Sequence, residues 1–433
     1  MLSKTIRILA MLTIIAASIA YVPTATLAQS ASDKGAAPAG SVSIQLLAYN
    51  DFHGNLKPPS GSSGRITTPT GNVDAGGVEY LATRIKQLRA TNPNTLVVAA
   101  GDLIGASPLI SGLFHDEPTI EAMNQIGLDL SSVGNHEFDE GSAELLRMQN
   151  GGCHPTDGCQ DGDPFNGATF QYLAANVVRT DNGKTLFPAY KIRSFGSAKV
   201  AFIGLVLEGT PTIVTPAGVA GLQFKDEADT VNALVPEIKA KGVKAIVVLI
   251  HEGGIQSGFY NDCTNFSGDI VDIVHRMDPE VDVVISGHTH QPYNCTIDNK
   301  IVTSASSFGR IVTKIDLQVD RTTGNVLTKH AENVIVTRDV PKDAGETAII
   351  NKYDSLSAPL SNKVIGSITA DLTRTPSAAG EQPLGDVIAD AQLASTAPAG
   401  FGNAVVAFMN PGGIRADFSY SQISGGEMPG QVT

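Results

Sequence analysis

A repeated juxtaposition narrows the choice of fold more than any other feature of this chain. A short apolar run stops, and a metal-ligating type of side chain follows at once. Ile44–Tyr49 leads into Asn50-Asp51-Phe52-His53, and Leu96–Ala100 leads into Gly101-Asp102. Leu128–Val133, a weaker run, leads into Gly134-Asn135-His136-Glu137. Ala245–Ile250 leads into His251-Glu252-Gly253-Gly254, and Val281–Ile285 into Ser286-Gly287-His288-Thr289-His290. Short β-branched runs of this kind read as strands buried on both faces, as in parallel sheets. Helix-like segments such as Val78–Ala90 and Ala228–Lys241 lie between them, the spacing of βα units. Ligands of open α/β sheets bind beyond the carboxyl ends of the strands, so the five loops are expected on one rim.

Taken singly, an Asp after a strand is usually a turn or cap residue, and one His is usually structural. Five of the nine histidines (His53, His136, His251, His288 and His290) fall in these loops, and that joint placement outweighs the ordinary reading. His115, His154, His275 and His330 lack such a context and read as ordinary side chains. Asp, Asn and His are hard to borderline donors, suited to Zn, Mn, Fe or Co rather than to thiolate chemistry. Two such ions about 3.5–4 Å apart need a bridging carboxylate and can clamp an in-line displacement at phosphorus. The alternate spacing of Asp51/His53 and His288/His290 lets each pair reach one ion pair from a single strand end.

Residues 1–28 read as an export signal, with Lys4 and Arg7 before the apolar run Ile8–Ala20 and small residues at Thr26-Leu27-Ala28. That run of about 13 residues is short of the ~20 needed to span a bilayer as a helix. Gln29–Gly40 reads as a flexible lead-in. Export to the periplasm or the extracellular space suits the four cysteines. Cys153 and Cys159 bracket a turn-rich stretch and are expected to pair locally, leaving Cys263 to pair with Cys295. The alternative, a zinc site of all four cysteines, lacks a C-x-x-C doublet. The formal charge of −13 makes the chain a poor candidate for gripping a nucleic-acid backbone or an anionic membrane, which need basic patches. No G-x-S-x-G elbow and no G-x-x-x-x-G-K-[ST] loop is present, which disfavours α/β-hydrolases and nucleotide-driven motors.

Asn-Asp-x-His-Gly at 50–54, Gly-Asp at 101–102, Gly-Asn-His-Glu-Phe-Asp at 134–139, His-Glu-Gly-Gly at 251–254 and Ser-Gly-His-Thr-His at 286–290 resemble the ordered motifs of calcineurin-like metallophosphoesterases. More narrowly, the chain resembles secreted 5'-nucleotidases and UDP-sugar hydrolases from about Ile44 onward. The resemblance implies an α/β/β/α sandwich over 41–340, a helical linker over 341–362 and a partial α+β C-terminal domain over 363–433. It also implies two divalent ions. Asp51, His53 and His290 would hold the first, Asn135, His251 and His288 the second, with Asp102 bridging. His136 would be the catalytic histidine, oriented by Asp139, and metal-activated hydroxide the nucleophile.

Beyond the linker, Val364–Thr369 and Val405–Met409 read as strands and Leu384–Ala394 as a helix. Asn410-Pro411-Gly412-Gly413-Ile414-Arg415 resembles the N-x-G-G-I-R substrate loop of 5'-nucleotidases, so Asn410, Gly412, Gly413 and Arg415 are expected to bind substrate, with Arg374 as a second phosphate contact. The family's aromatic pair that sandwiches the base lies further downstream. Phe418 and Tyr420 stand too close to Arg415 to serve, so the chain reads as a piece of a longer product or as one without that base recognition. The expected activity is hydrolysis of nucleotide phosphate esters, extending to nucleotide sugars or cyclic nucleotides. Two alternatives stand beside it: a low-specificity phosphoesterase, and a truncated non-catalytic nucleotide- or metal-binding protein. The expected partner is the phosphate-ester substrate, with neither nucleic acid nor a membrane span.

Overall fold

The computed structural model describes residues 38–410, 413–414, 416–423 and 426–433. The expected export signal and all but the last residues of the lead-in lie outside the described residues. The core rests on strands β1 (Ser41–Tyr49), β2 (Thr95–Ala100), β3 (Leu130–Ser132), β4 (Gln171–Leu173), β5 (Tyr190–Phe195) and β6 (Ala198–Val206). It continues with β7 (Ala245–His251), β8 (Val281–Ile285), β9 (Pro292–Ile297), β10 (Lys300–Ala305), β11 (Ile311–Asp320) and β12 (Val326–Ile335). They form two six-stranded sheets, ordered β12-β11-β1-β2-β3-β4 and β9-β10-β8-β7-β6-β5. β1 to β4 pair in parallel, as do β6, β7, β8 and β10, while the outer strands β12, β11, β9 and β5 pair antiparallel. The second sheet therefore has a parallel centre and antiparallel margins, while the first is antiparallel at one margin and parallel through to β4 at the other.

The period-two alternation of a strand decides which layer each side chain enters. On β1, Ile44, Leu46 and Ala48 point between the sheets, where they meet Val247 and Leu249 of β7 and Phe202 of β6. Leu47 and Tyr49 point the other way, against Leu81 and Ile85 of helix α1 (Val78–Arg89) and Ile120 and Met123 of α2 (Glu117–Ile126). On β7, Ile246, Val248 and Ile250 cover the opposite outer face with Val231 and Ile238 of α3 (Glu227–Ala240) and Ile270 and Val274 of α4 (Asp269–Arg276). The result is four layers, α/β/β/α. Each fully buried Leu, Ile, Val or Phe in them contributes about 1.5–3 kcal/mol. The chain sets the start of α3 with Asp226, whose carboxylate accepts from Asp229 N at 2.8 Å.

Cys153 is bonded to Cys159 and Cys263 to Cys295, so no four-cysteine zinc site exists. Helix α5 (Ala344–Ser361) docks on the sandwich through Tyr353, which is fully buried, packs edge-on to Phe114 and bonds Asp161 Oδ2 at 2.9 Å. After it the structure thins. Helix α6 (Pro383–Thr396) covers the expected 384–394, yet Leu384 is its one buried residue. The expected strand 364–369 shrinks to Gly366–Ser367, paired with Gln431–Val432. The expected strand 405–409 does not form. Its β-branched run has no partner strand alongside it among the described residues, and Val405 and Phe408 are 92% and 86% exposed. No helix among the described residues is long and apolar enough to cross a membrane.

Candidate metal centre

The parallel register puts the loops side by side. Tyr49 at the end of β1 pairs with Ala99 of β2, so the two loops continue together: Asp51 N donates to Gly101 O and His53 N to Asp102 O, each at 3.1 Å. In the second sheet His251 ends β7, and Ile285 of β8 pairs with Leu249. All five loops thus meet on one rim. The turns are tight enough to force Asp51, His53, Asp102, His288 and His290 to positive φ, between 48° and 69°. L residues rarely adopt such angles, and where they persist the surrounding structure over-determines them. Gly134 must be glycine for a different reason: a Cβ there would fall 2.2 Å from Asp102 Oδ1.

Two groups of donors result. Ligand atoms of Asp51, His53 and His290 lie within 4.8 Å of one another, and those of Asp102, His251 and His288 do likewise. Asp102 stands between them, its Oδ2 being 3.6 Å from His53 Nε2 and 3.0 Å from His251 Nε2. Asn135 is buried beside them, and its Oδ1 has no hydrogen-bond partner, nor does His251 Nε2 find one of suitable geometry. His53 Nε2 and His290 Nε2 face each other at 3.0 Å. Backbone carbonyls fix the tautomers, because His53 Nδ1 lies 2.9 Å from Gly105 O and His251 Nδ1 2.8 Å from Ala100 O. Nδ1 atoms donating to those carbonyls turn both Nε2 atoms inward, as metal-ligating imidazoles require. Asp102 outweighs burial and raises the His251 pKa to about 10, so a cation held there would displace the proton on its Nε2. Burial holds His53 and His288 down to about 4, so both are neutral at physiological pH. Burial works against ionising Asp51 and Asp102, but His290 and His251 respectively outweigh it and keep both carboxylates below their usual range. Orphaned acceptors, facing nitrogens and ionised carboxylates are the pattern that divalent cations satisfy, so the residues fit such ions.

His136 is placed differently. It lies at the start of a short 3-10 turn, partly exposed, with its Nδ1 2.7 Å from Asp139 Oδ2 and its ring 5.1 Å from that of His53. Burial lowers its pKa, but the bond to Asp139 and the charge of Asp102 prevail and raise it above the ordinary histidine value. Two supporting residues were not singled out from sequence. Asn50 donates to Asp51 Oδ2 at 2.6 Å and to Ser306 O, while accepting from Ala305 N. Glu137 accepts from Asp102 N, Leu103 N and Gly134 N, stapling two loops together, and burial pushes its pKa to about 7. Asn50 stands directly beside the candidate ligand Asp51 and Glu137 two residues after Asn135, which is the only signal that could have marked them.

A cleft of about 610 Å3 opens over the centre, lined by Asp102, Asn135, His136, His288 and His290 and, from beyond α5, by Arg374 and Ile414. Arg374 is braced by Asp417, whose Oδ1 accepts from its backbone N at 2.8 Å and its Nε at 3.2 Å. Asn410 and Gly413 close a turn, with Gly413 N donating to Asn410 O at 3.0 Å, and are not among the residues lining the cleft. Gly412 and Arg415 lie outside the described residues.

The family model for calcineurin-like phosphoesterases matches residues 44–292, and that for the 5'-nucleotidase C-terminal domain matches residues 364–432. Endonuclease YhcR of Bacillus subtilis is 35% identical over 395 residues, covering 90% of this chain and 31% of that protein. Cell wall protein Lmo0130 of Listeria monocytogenes is 31% identical, covering 92% of this chain and 52% of the relative. The chain thus spans roughly a third to a half of these relatives. The crystal structure of a 5'-nucleotidase precursor from Thermus thermophilus superposes with a TM-score of 0.67 at 24% identity, covering 90% of this chain and 72% of that one, which shows a shared fold.

Proposed function

We propose, since this chain belongs to the calcineurin-like phosphoesterase family, that it is an exported hydrolase of nucleotide phosphate esters working with two divalent cations. The observation that carries this reading is the convergence of two donor groups on Asp102. Asp51, His53 and His290 would hold one cation, Asn135, His251 and His288 the other, and Asp102 would serve both. Zn, Mn, Co and Fe all suit that donor set. Bound cations of this kind supply Lewis-acid charge and make water an effective nucleophile near neutral pH.

The remaining roles belong to the protein's own groups. Asp139 holds His136 by Nδ1, so the opposite nitrogen is free to face the cleft. A raised pKa favours the cationic form of His136, which offsets charge on the leaving oxygen and delivers a proton to it. Arg374 forks onto the phosphate from the far wall, and the family match over residues 364–432 supports Asn410, Gly412, Gly413 and Arg415 as a substrate loop. The match to the 5'-nucleotidase C-terminal domain supports nucleotides as the substrate class. Two disulfides support export, because such bonds persist in oxidising compartments.

Full-length protein reconstituted with each metal is expected to release phosphate from adenosine 5'-monophosphate, and His136→Ala to lower kcat by about 10²–10⁴. Absence of turnover with every metal, on the nucleotide and on an aryl phosphate alike, would refute the reading. A second reading, cleavage of nucleic-acid diesters, rests on the likeness to an endonuclease. Faster cutting of single-stranded RNA than of the mononucleotide would favour it.

A further inference from the structure

A second lobe of about 500 Å3 adjoins the metal cleft, and the two share Ser62, His290, Gln291 and Arg310 in their walls. Its far side is formed by the loop between β7 and α4, which carries Phe259 and Tyr260. We propose that this lobe is a nucleoside subsite, with the exposed ring of Phe259 as the face on which the base of a nucleoside phosphate stacks. The inference rests on the phosphohydrolase reading and adds where the leaving group sits.

The loop is built as a rigid platform. Ile255 and Ser267 close its base through reciprocal backbone bonds of 2.8 and 3.0 Å. Cys263 is bonded to Cys295 on β9, which ties the tip to the second sheet. Asn333 of β12 donates to Tyr260 O at 2.7 Å and exchanges two bonds with the Asn261 amide. Phe259 N itself donates to Asp262 Oδ2 at 2.7 Å, and Gln256 Nε2 donates to Phe259 O at 2.8 Å. These contacts fix the course of the loop, and the two at Phe259 engage its backbone N and O, so its Cα is held while the residue stays 39% exposed. Tyr260 packs into the core, and no aromatic ring among the described residues stacks on Phe259. An apolar ring presented on a fixed backbone at a cleft wall loses little conformational freedom on binding, which favours a planar partner.

The junction between the lobes is cationic. Among the described residues Arg310 bonds only neutral oxygens: Ser307 O at 3.0 Å, Arg65 O at 3.0 Å, Ser306 Oγ at 2.9 Å and Ser307 Oγ at 2.7 Å. Burial lowers its pKa to about 10, which leaves it charged at neutral pH. An uncompensated guanidinium between the donor groups and the Phe259 face suits a ligand with phosphate at one end and an aromatic ring at the other. A lobe of this size is within the ~300–1,000 Å3 of small-molecule sites.

The test uses full-length, metal-loaded protein and two variants, Phe259→Ala and Phe259→Tyr. Calorimetry with the methylene phosphonate analogue of adenosine monophosphate should show Phe259→Ala weakening binding about tenfold and Phe259→Tyr restoring it. In turnover, Phe259→Ala should raise KM for adenosine monophosphate by a similar factor and leave KM for glycerol 2-phosphate unchanged. Unaltered analogue binding in Phe259→Ala, or an equal rise in both KM values, would overturn the subsite while leaving the phosphohydrolase reading in place. If no ester is turned over, that reading fails, and calorimetry still decides the subsite on its own.

Discussion

Between β1 and β12 most large apolar side chains have a facing layer, whereas after α5 the same residue types stand in solvent. Phe202 on β6 is fully buried between the sheets, and Phe408 projects from an unpaired stretch. Yet both regions reach the cleft: among the described residues the first supplies the clustered donors, the second only Arg374 and Ile414. Site chemistry and fold stability are thus concentrated in the sandwich. The later segment can adjust affinity but has little core through which to impose geometry.

Three measurements would break or sharpen that contrast. Phe202→Ala should destabilise the protein by about 3–5 kcal/mol in denaturant unfolding, while Phe408→Ala should stay within about 0.5 kcal/mol. Equal losses would mean the later segment carries as much core as the sandwich. Arg374→Ala should raise KM for a nucleotide about tenfold with kcat changed far less, the signature of a charge-assisted contact that binds without shaping the transition state. A fall in kcat of the size expected for His136→Ala would place the two regions on an equal catalytic footing.

The smallest effect lies within the sandwich itself, where His115 bonds Glu140 Oε2 at 2.7 Å and Asp157 Oδ2 at 2.9 Å. Burial opposes its charge, but the two carboxylates outweigh that and raise its pKa above the ordinary 6.5. A raised folded-state pKa adds stability that is present in full below the unfolded value and fades as pH rises through the folded one. The stability gap between wild type and His115→Gln should therefore be larger at pH 6 than at pH 9. A gap that widens toward alkaline pH would contradict the assignment.

The strand ends were legible because two independent patterns coincide there, an apolar run and a ligand-type residue. The unbroken apolar runs of β1 and β7 likewise foretold two-sided burial. The supporting roles of Asn50 and Glu137 were not legible, since each depends on backbone groups that only the fold brings near. Arg310 was invisible for the same reason: nothing in Ser306-Ser307-Phe308-Gly309-Arg310 says that its neighbours will all be neutral. The strand expected at 405–409 failed because β propensity describes a fit to a partner, and Val405 has none beside it.

The left-handed backbone at Asp51, His53, Asp102, His288 and His290 has a consequence for any effort to harden this protein. Each such residue costs about 1–2 kcal/mol relative to a relaxed conformation, and glycine would relieve it. Selection for heat resistance alone would then favour glycine at the rim and erode the centre, while selection for turnover would keep the strain. Thermal tolerance and catalytic competence pull in opposite directions at the same five backbone positions.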